Sequence, residues 1–145
     1  MKQKSNLAGL GSRAFNVILS EAHEAGMVAG TAKVPVPMVV SEHVNVLDDN
    51  SDVKHAYYVP SGVCGFAYVI TMEHGNSKFV KHLKKLAGKS NYSMSTGRKY
   101  YYGGYYVKSV GEFGQSLEQK EAYASAYAAV LKNYGVNVYT NSRMD

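Results

Sequence analysis

The C-terminal third of the chain contains the pattern that decides the fold. Residues 98–145 read, in one-letter code, RKYYYGGYYVKSVGEFGQSLEQKEAYASAYAAVLKNYGVNVYTNSRMD. Ser116 and Gln119 have the spacing of a capping box, in which the serine oxygen accepts a backbone N–H and the glutamine side chain reaches back. The alanine-rich segment after them favours a helix, and Gly135 suits the left-handed conformation at which helices end. The predicted helix has an apolar stripe that faces the core, formed by Leu117, Ala124, Ala128 and Leu131.

A tyrosine-rich segment precedes this helix, and a short alternating segment follows it. Gly103 and Gly104 separate two runs of tyrosine, a residue that favours strands. The segment is therefore predicted to be a hairpin with a tight two-residue turn or one strand with a glycine bulge. Alternation would place Tyr100 and Tyr102 on one face and Tyr101 on the other. The segment from 136 to 139 alternates as a half-buried strand does.

Composition limits the classes of protein to consider. The chain has 145 residues, a formal net charge of +5 and a pI of about 9.2, which suits contact with nucleic acid, nucleotides or another anionic partner. Its thirteen tyrosines and lack of tryptophan indicate an amphipathic surface. A single cysteine, Cys64, leaves no internal disulfide and fits a reducing compartment. No segment resembles a signal peptide or a membrane span, so no membrane partner is expected.

Two further helices are predicted in the first two thirds of the chain. Ser12 is a suitable N-cap for the first helix, and Gly26 is expected to end it. Asn76 or Ser77 is a suitable N-cap for a second, lysine-rich helix that extends to about Ala87.

The remaining apolar segments are predicted to be strands. Residues 34–47 contain two prolines near their start, which indicates an edge strand or an irregular lead-in. Residues 48–52 are expected to be a loop. Residues 57–59 and 63–72 are predicted to be two strands joined by a turn.

Together these elements indicate a flexible arm and one domain. Residues 1–11 are polar and contain glycine, so they are expected to form the arm. Residues 12–145 are long enough for a core of their own. The predicted fold is α+β, with two layers and about three helices packed on a mostly antiparallel or mixed sheet.

The strongest functional signal is a basic segment followed by tyrosines. Basic side chains attract phosphates, and aromatic rings stack on bases at about 1–3 kcal/mol per base, as a binder of single-stranded nucleic acid or of a nucleotide requires. The predicted phosphate contacts are Lys78, Lys81, Lys85, Arg98 and Lys99, and the predicted stacking residues are Tyr101 and Tyr105. The competing interpretation is an ordinary solvated lysine face, with most tyrosines in the core.

One strand segment is similar to the aromatic strand of the RNA recognition motif. Residues 65–69 are Gly-Phe-Ala-Tyr-Val, and the motif reads K/R-G-F/Y-G/A-F-V-x-F/Y. Cys64 stands where the motif has its basic residue, and Thr71 stands where it has its last aromatic residue. Because the pattern is permissive, a buried β-strand is the favoured interpretation of this segment.

The sequence contains no pattern that indicates catalysis or a bound metal. Glu73 and His74 lie where a strand meets a helix, but spacing alone does not bring them to Cys64. The five histidines lack the spacing of a zinc site. The loop that starts at Asp48 begins like a calcium loop, yet it lacks the required glycine and the final glutamate. A non-catalytic protein without a cofactor is therefore the favoured class.

The C-terminal half resembles small uncharacterised proteins of tailed bacteriophages. The residues that carry the resemblance follow the pattern GQSxExKEAYA, then VLxxxG, then SRMD, within residues 114–145, together with segments 65–69 and 75–81. The resemblance covers roughly residues 62–145 and implies a phage or prophage source and action in the bacterial cytoplasm. It implies no activity and no site residue.

Three functions follow in order of preference. The first is a phage-type accessory protein that binds single-stranded nucleic acid or another phosphate-bearing ligand without catalysis. The second is a counter-defence protein that inhibits a host protein or sequesters a nucleotide immune signal. The third is a virion or assembly protein that forms a homo-oligomer through its tyrosine-rich strands.

Overall fold

The structure is a computed structural model, and for the strands at 38–43 and 53–59 it describes the backbone alone. The residues it describes are 10–43, 53–59, 62–89 and 91–145. The predicted loop at 48–52 and nearly all of the predicted arm lie outside these residues.

Three helices and five strands form in the described part of the chain. In chain order they are α1 (Ser12–Ala32), β1 (Met38–His43), β2 (Val53–Val59), β3 (Gly65–Thr71), α2 (Lys78–Leu86), β4 (Tyr105–Ser109), α3 (Leu117–Asn133) and β5 (Val138–Met144).

The strands form two antiparallel sheets. β1 and β2 pair with each other and have a register shift between Glu42 and His43. The main sheet has the order β4-β3-β5, so β3 is its central strand. The pairing of β3 with β4 shifts in register between Val69 and Ile70, whereas the pairing of β3 with β5 is continuous. The predicted α+β fold, with three helices and an antiparallel sheet, is confirmed.

Helix α3 begins and ends where local sequence rules place its ends. The Gln119 N–H donates to Ser116 Oγ at 3.3 Å, and Gly135 has a φ of +84° just past the helix. The second half of the predicted capping box does not form. The Gln119 side chain donates instead to the Gly30 carbonyl of α1 at 3.1 Å, because α1 packs along α3.

The prediction that α1 ends at Gly26 is wrong. The helix continues through Gly26 and Gly30 to Ala32, and both glycines are buried. A Cβ atom at Gly26 would lie 2.7 Å from the Tyr123 ring, and one at Gly30 would lie similarly close to Phe113. These glycines therefore serve the close approach of α1 to other elements.

Some of the other boundaries differ from the predictions by a few residues. Gly11, rather than the predicted Ser12, is the N-cap of α1, and β3 (Gly65–Thr71) is shorter than the predicted strand at 63–72.

Ser77 caps α2 by accepting the Val80 N–H at 3.2 Å, and the helix stops just before Ala87. β1 starts directly after Pro37, which fits the predicted irregular lead-in. β5 starts later than predicted and continues through a polar segment, because backbone pairing with β3 holds it in place.

The core lies between the main sheet and the helices. α3 contacts both β3 and β5, and α1 packs mainly on α3. Among the largest fully buried side chains are Phe15, Leu19, Val69, Phe79, Leu83, Val107, Tyr123, Tyr127 and Leu131. None of the described helices has the length and apolar character needed to cross a membrane.

Candidate nucleic-acid interface

Strand β3 presents different residues on its two faces. Ala67 and Val69 are buried in the core. Alternation along the strand puts Phe66 and Tyr68 on the opposite face, where both are partly exposed. The prediction of a buried strand is therefore correct for one face alone. The other face presents the two positions that are similar to the aromatic positions of the RNA recognition motif.

Tyrosines gather on this outer side of the main sheet. The ring centroid of Tyr68 lies 5.6 Å from that of Tyr106, and Tyr100 lies 5.1 Å from Tyr106. Tyr101 and Tyr102 extend the cluster with centroids 4.9 Å apart. These three pairs are edge-to-face, an arrangement that aromatic rings favour. We call the cluster the tyrosine face; its members are Tyr68, Tyr100, Tyr101, Tyr102, Tyr106 and Tyr139.

Hydrogen bonds hold the middle of the tyrosine face in place. Asn141 Nδ2 donates to the Tyr100 hydroxyl at 2.7 Å, and the Tyr139 hydroxyl donates to a backbone carbonyl of the hairpin at 2.8 Å. At the hairpin tip, Tyr101 and Tyr102 are 90% and 75% exposed. The face therefore consists of a fixed platform with two accessible rings at one end.

Arg143 brings a positive charge to the tyrosine face. Its guanidinium carbon lies 5.1 Å from the centroid of the Phe66 ring, at cation–π distance. Arg143, Asn141 and Ser142 line one side of a cleft of about 530 Å³, and tyrosines line the rest. The Tyr106 hydroxyl is neutral at physiological pH, as tyrosine ordinarily is, and burial and the neighbouring tyrosines raise its pKa further. The cleft thus combines aromatic surface, a cation and neutral polar groups.

The tyrosine segment forms a hairpin, but its turn is longer than the predicted two-residue turn. Lys99 pairs with Tyr105, and the Tyr100 N–H donates to the Gly104 carbonyl at 2.8 Å. Because Tyr101 lies in the turn, strand alternation does not apply to it. Tyr101 therefore lines the same cleft as Tyr100 and Tyr102, and the predicted separation of these rings onto two faces is wrong.

A basic groove lies beside β4. Lys84, Arg98, Lys99 and Tyr105 line it, and its volume is about 390 Å³. Lys84 Nζ lies 5.7 Å from the centroid of the Tyr105 ring. Gly97 has a φ of +84°, and a Cβ atom there would lie 2.7 Å from the Lys84 backbone. This close approach brings the segment that carries Arg98 and Lys99 against α2.

The predicted site residues fall in three places. Arg98, Lys99 and Tyr105 share the basic groove, whereas Tyr101 belongs to the tyrosine face. The remaining three are exposed residues of α2: Lys78, Lys81 and Lys85. Three of the predicted residues are thus brought together, and the stacking residues Tyr101 and Tyr105 lie in different depressions.

Sequence reasoning missed several residues of this interface. Lys84 was not among the predicted phosphate contacts, although it lies in the same lysine-rich helix. Period-two alternation along β3 contained a signal for Phe66 and Tyr68. Arg143 gave no such signal, because it lies in a polar segment whose strand character depends on pairing with β3.

A buried polar cluster lies on the helical side of the sheet. Lys108 Nζ lies 3.0 Å from Glu112 Oε2 and also donates to the Asn91 carbonyl. His23 Nδ1 is hydrogen-bonded to the Tyr123 hydroxyl at 2.6 Å and lies 3.8 Å from Glu112 Oε2. Burial lowers the pKa of Lys108, while the Glu112 carboxylate acts against that shift. Burial also raises the pKa of Tyr123. The cluster links α1, β4 and α3 through polar contacts.

The residues considered for catalysis remain apart. The Glu73 carboxylate accepts the Asn137 N–H at 3.2 Å, and His74 Nδ1 accepts the Asn76 N–H at 3.0 Å. Cys64 is a free, half-buried cysteine whose backbone pairs with that of Ser116. Within the described residues, no group of histidine, cysteine and acidic side chains has the arrangement of a metal site.

Comparison with known proteins identifies no related protein. No protein-family model, curated protein or solved structure matches the chain. The resemblance to small phage proteins therefore stays a prediction.

Proposed function

We propose that this protein binds single-stranded nucleic acid without catalysing a reaction. The observation that carries the proposal is the tyrosine face, which lies on the side of the main sheet opposite α3. Proteins that bind single strands stack successive bases on aromatic side chains, and the RNA recognition motif does so on the open face of an antiparallel sheet. In this proposal, bases stack on the tyrosine face.

The basic residues supply the phosphate contacts of the proposal. Lys84, Arg98 and Lys99 lie beside β4 in the basic groove, and Arg143 lies on β5. A strand that runs across the sheet from the groove to Arg143 passes over Tyr106 and Tyr68. The net charge of +5 favours such a ligand through long-range attraction. An accessory role in the cytoplasm of a phage-infected bacterium is the setting that we propose for this binding.

Fluorescence anisotropy tests the proposal directly. Labelled random-sequence DNA and RNA strands of about 12 nucleotides match the length that small single-strand binders cover. We expect micromolar or tighter binding that weakens steeply as salt increases, because phosphate contacts release counterions. Absence of binding at low salt for both strands would contradict the proposed function.

Removal of one exposed ring is expected to weaken binding. Tyr101→Ala or Tyr102→Ala should each cost about 1–3 kcal/mol of binding free energy, the usual value of one stacked base. Both side chains are largely exposed, so folding should be unaffected. Tyr134→Ala is the matched control, because the Tyr134 hydroxyl donates to the Glu21 carboxylate on the helical side of the molecule. Equal weakening by Tyr134→Ala would show that the effect is not specific to the tyrosine face.

Neutralising the basic groove is expected to change the salt dependence. Arg98→Ala combined with Lys99→Ala should reduce the slope of log K against log salt by about 1.4, because each phosphate contact with a single strand contributes about 0.7. Lys33→Ala combined with Lys132→Ala removes the same charge at exposed positions of the helical layer and should leave the slope nearly unchanged.

The same salt titration tests whether the lysines of α2 contact phosphates. Lys81→Ala combined with Lys85→Ala should also weaken binding and flatten the salt dependence if the exposed side of α2 contacts phosphates. Unchanged affinity and slope would restrict the phosphate contacts to the basic groove and Arg143.

The shape of the cleft favours a second candidate. Its volume of about 530 Å³ lies within the range of small-molecule sites, and Arg143 and Asn141 offer a cation and an amide beside the rings. A counter-defence protein that sequesters a nucleotide signal would use the cleft in this way. Calorimetric titration with mononucleotides and cyclic dinucleotides separates the candidates: tight one-to-one binding without affinity for longer strands supports sequestration. Recovery of a nuclease-resistant complex with a host protein would support inhibition of that protein instead.

A further inference from the structure

The two edges of the main sheet differ in how their backbone groups are used. Beside β4, the Gly97 N–H donates to the Tyr106 carbonyl at 2.7 Å, and the Tyr106 N–H donates to the Arg98 carbonyl at 2.9 Å. This segment covers the β4 edge. Beside β5, no described strand or loop takes the equivalent place. Among the described residues, β5 is therefore the open edge of the main sheet.

The register with β3 identifies the unpaired groups of β5. The Met72 N–H donates to the Asn137 carbonyl at 2.8 Å, and the Asp145 N–H donates to the Cys64 carbonyl at 3.0 Å. In an antiparallel ladder the direction of the backbone N–H and C=O groups alternates from residue to residue. The backbone groups of the odd-numbered residues from 137 to 145 therefore point towards β3. The residues whose backbone N–H and C=O groups point outward are Val138, Thr140, Ser142 and Met144.

Apart from the charge of Arg143, β5 lacks the features that usually protect an open edge. Residues 138–144 contain no proline and no lysine, and their pairing with β3 has no bulge. Proline, lysine and bulges are the common means of preventing edge-to-edge pairing. One outward donor is occupied within the chain, since the Ser142 N–H bonds the Asn141 side chain at 2.9 Å. Pairing with a second strand must therefore replace this one hydrogen bond with a bond to the partner strand.

We propose that two copies of this chain pair through β5, in an antiparallel arrangement centred on Asn141. This register uses every outward backbone group of both strands. It also places no like charges opposite one another, because Arg143, the one charged residue of the strand, faces tyrosine. Such cross-strand pairs contribute about 0.2–1 kcal/mol each. The facing pairs are Tyr139 with Arg143, Thr140 with Ser142, and Val138 with Met144.

The helical layer is compatible with this pairing. α3 contacts both β3 and β5, so the two copies of α3 would lie about two strand spacings apart, or roughly 10 Å. Packed helices are separated by about 8–10 Å. The exposed residues on the side of α3 near β5 include Glu121 and Ser125. Ser125 is small, and the Glu121 carboxylate accepts a hydrogen bond from the Ser142 hydroxyl of its own chain at 2.8 Å.

The pairing joins the two tyrosine faces. The twofold axis is perpendicular to the sheet, so both outer faces remain on the same side and form one continuous surface. Arg143 then lies between Phe66 of its own copy and Tyr139 of the other copy. Formation of the dimer does not depend on the proposed function. If that function is correct, one strand of nucleic acid can contact both copies, which increases the overall affinity.

Sedimentation velocity tests the proposal across concentrations from about 1 to about 200 μM. A concentration-dependent dimer is expected. Thr140→Lys places like charges close together at the edge and should weaken dimer formation several-fold, while Thr31→Lys, at an exposed position of α1, should not. Thr140→Pro removes an outward N–H without removing a bond to β3 and should act similarly. A monomer throughout this range, or a dimer insensitive to both Thr140 variants, would overturn the proposal.

Cysteine cross-linking tests the register. In a Cys64→Ser background, Asn141→Cys places two thiols opposite each other in a pair with Cα atoms about 4.5 Å apart, within the range of a disulfide. Mild oxidation should therefore yield a covalent dimer. Tyr139→Cys should not cross-link, because its facing residue is Arg143. Cross-linking of Tyr139→Cys without cross-linking of Asn141→Cys would refute this register. Nucleic-acid binding by a strict monomer would refute the dimer and leave the proposed function intact.

Discussion

Glu112→Ala is expected to lower the free energy of unfolding by about 3–5 kcal/mol, the usual cost of removing one partner of a buried ion pair. The substitution leaves the Lys108 ammonium without its carboxylate, and the Lys108 side chain is only 2% exposed. Its other contacts are the Asn91 carbonyl and the rings of Tyr92 and Tyr123, with centroids 5.6 Å from Nζ. None of these supplies a full negative charge. Urea denaturation followed by circular dichroism measures the loss.

Substitutions of Lys108 and Glu112, the two partners of this ion pair, are expected to differ in how much they lower the free energy of unfolding. Lys108→Met should cost much less, because the Glu112 side chain is 20% exposed and can remain hydrated. The double variant, Lys108→Met with Glu112→Ala, should regain most of the stability that Glu112→Ala loses. Glu24→Ala, at an exposed position of α1, is the control. If it destabilised the protein as much as Glu112→Ala does, the explanation through Lys108 would be wrong.

The loss in Glu112→Ala should also depend on pH. Burial lowers the pKa of Lys108 in the folded protein, and removal of the carboxylate lowers it further. Between that pKa and the unfolded value of about 10.4, the unfolded chain holds more protons than the folded chain, so stability rises with pH. The stability difference from the unsubstituted protein should therefore narrow as the pH is raised towards 10. A constant difference would argue against a buried charge as its cause.

Gly26→Leu is expected to destabilise the protein by about 3 kcal/mol through overpacking. The new Cβ atom alone would lie 2.7 Å from two ring carbons of Tyr123. That ring is fully buried, is hydrogen-bonded to His23, and packs on Tyr127 with centroids 5.7 Å apart. It therefore has little freedom to move aside, and α1 must separate from α3. Thermal unfolding and urea denaturation measure the effect.

The sign of this change distinguishes packing from helix propensity. In an exposed helix, replacing glycine by alanine or leucine stabilises the helix by up to about 1 kcal/mol. Gly26→Ala is expected to destabilise the protein less than Gly26→Leu. Gly111→Ala is the control, because no atom lies within 4 Å of a Cβ atom there. A neutral or stabilising Gly26→Leu would show that the two helices are not in close contact.

Much of the local structure could be predicted because its causes lie within a few residues. Ser116 and Ser77 cap their helices through a neighbouring N–H, and Gly135 ends α3 by its own conformation. The same local reasoning failed at Gly26. Its role depends on Tyr123, which is distant in sequence, and no pattern near Gly26 indicates that partner.

The candidate site could be predicted only in part. The basic and aromatic composition of residues 98–105 indicated a binding surface, and Arg98, Lys99 and Tyr105 do lie together. Tyr101 was assigned by strand alternation, but it occupies a turn, where alternation has no meaning. The buried polar cluster around Lys108 was not predicted, because its members come from α1, β4, α3 and the loops beside β4.

The capped starts of α2 and α3, the apolar stripes and the α+β class follow from capping, propensity and periodicity, which act between residues close in the chain. The arrangement of the tyrosine face follows from strand order. Tyr68, Tyr106 and Tyr139 become neighbours because β3 lies between β4 and β5. The polar segment at β5 becomes a strand because it pairs with β3, and among the described residues it is an edge strand of the main sheet. The tyrosine face and the edge position of β5 are thus set by cross-strand register and by packing between distant segments. Both depend on which residues meet in the folded chain, and residues close in sequence do not determine that.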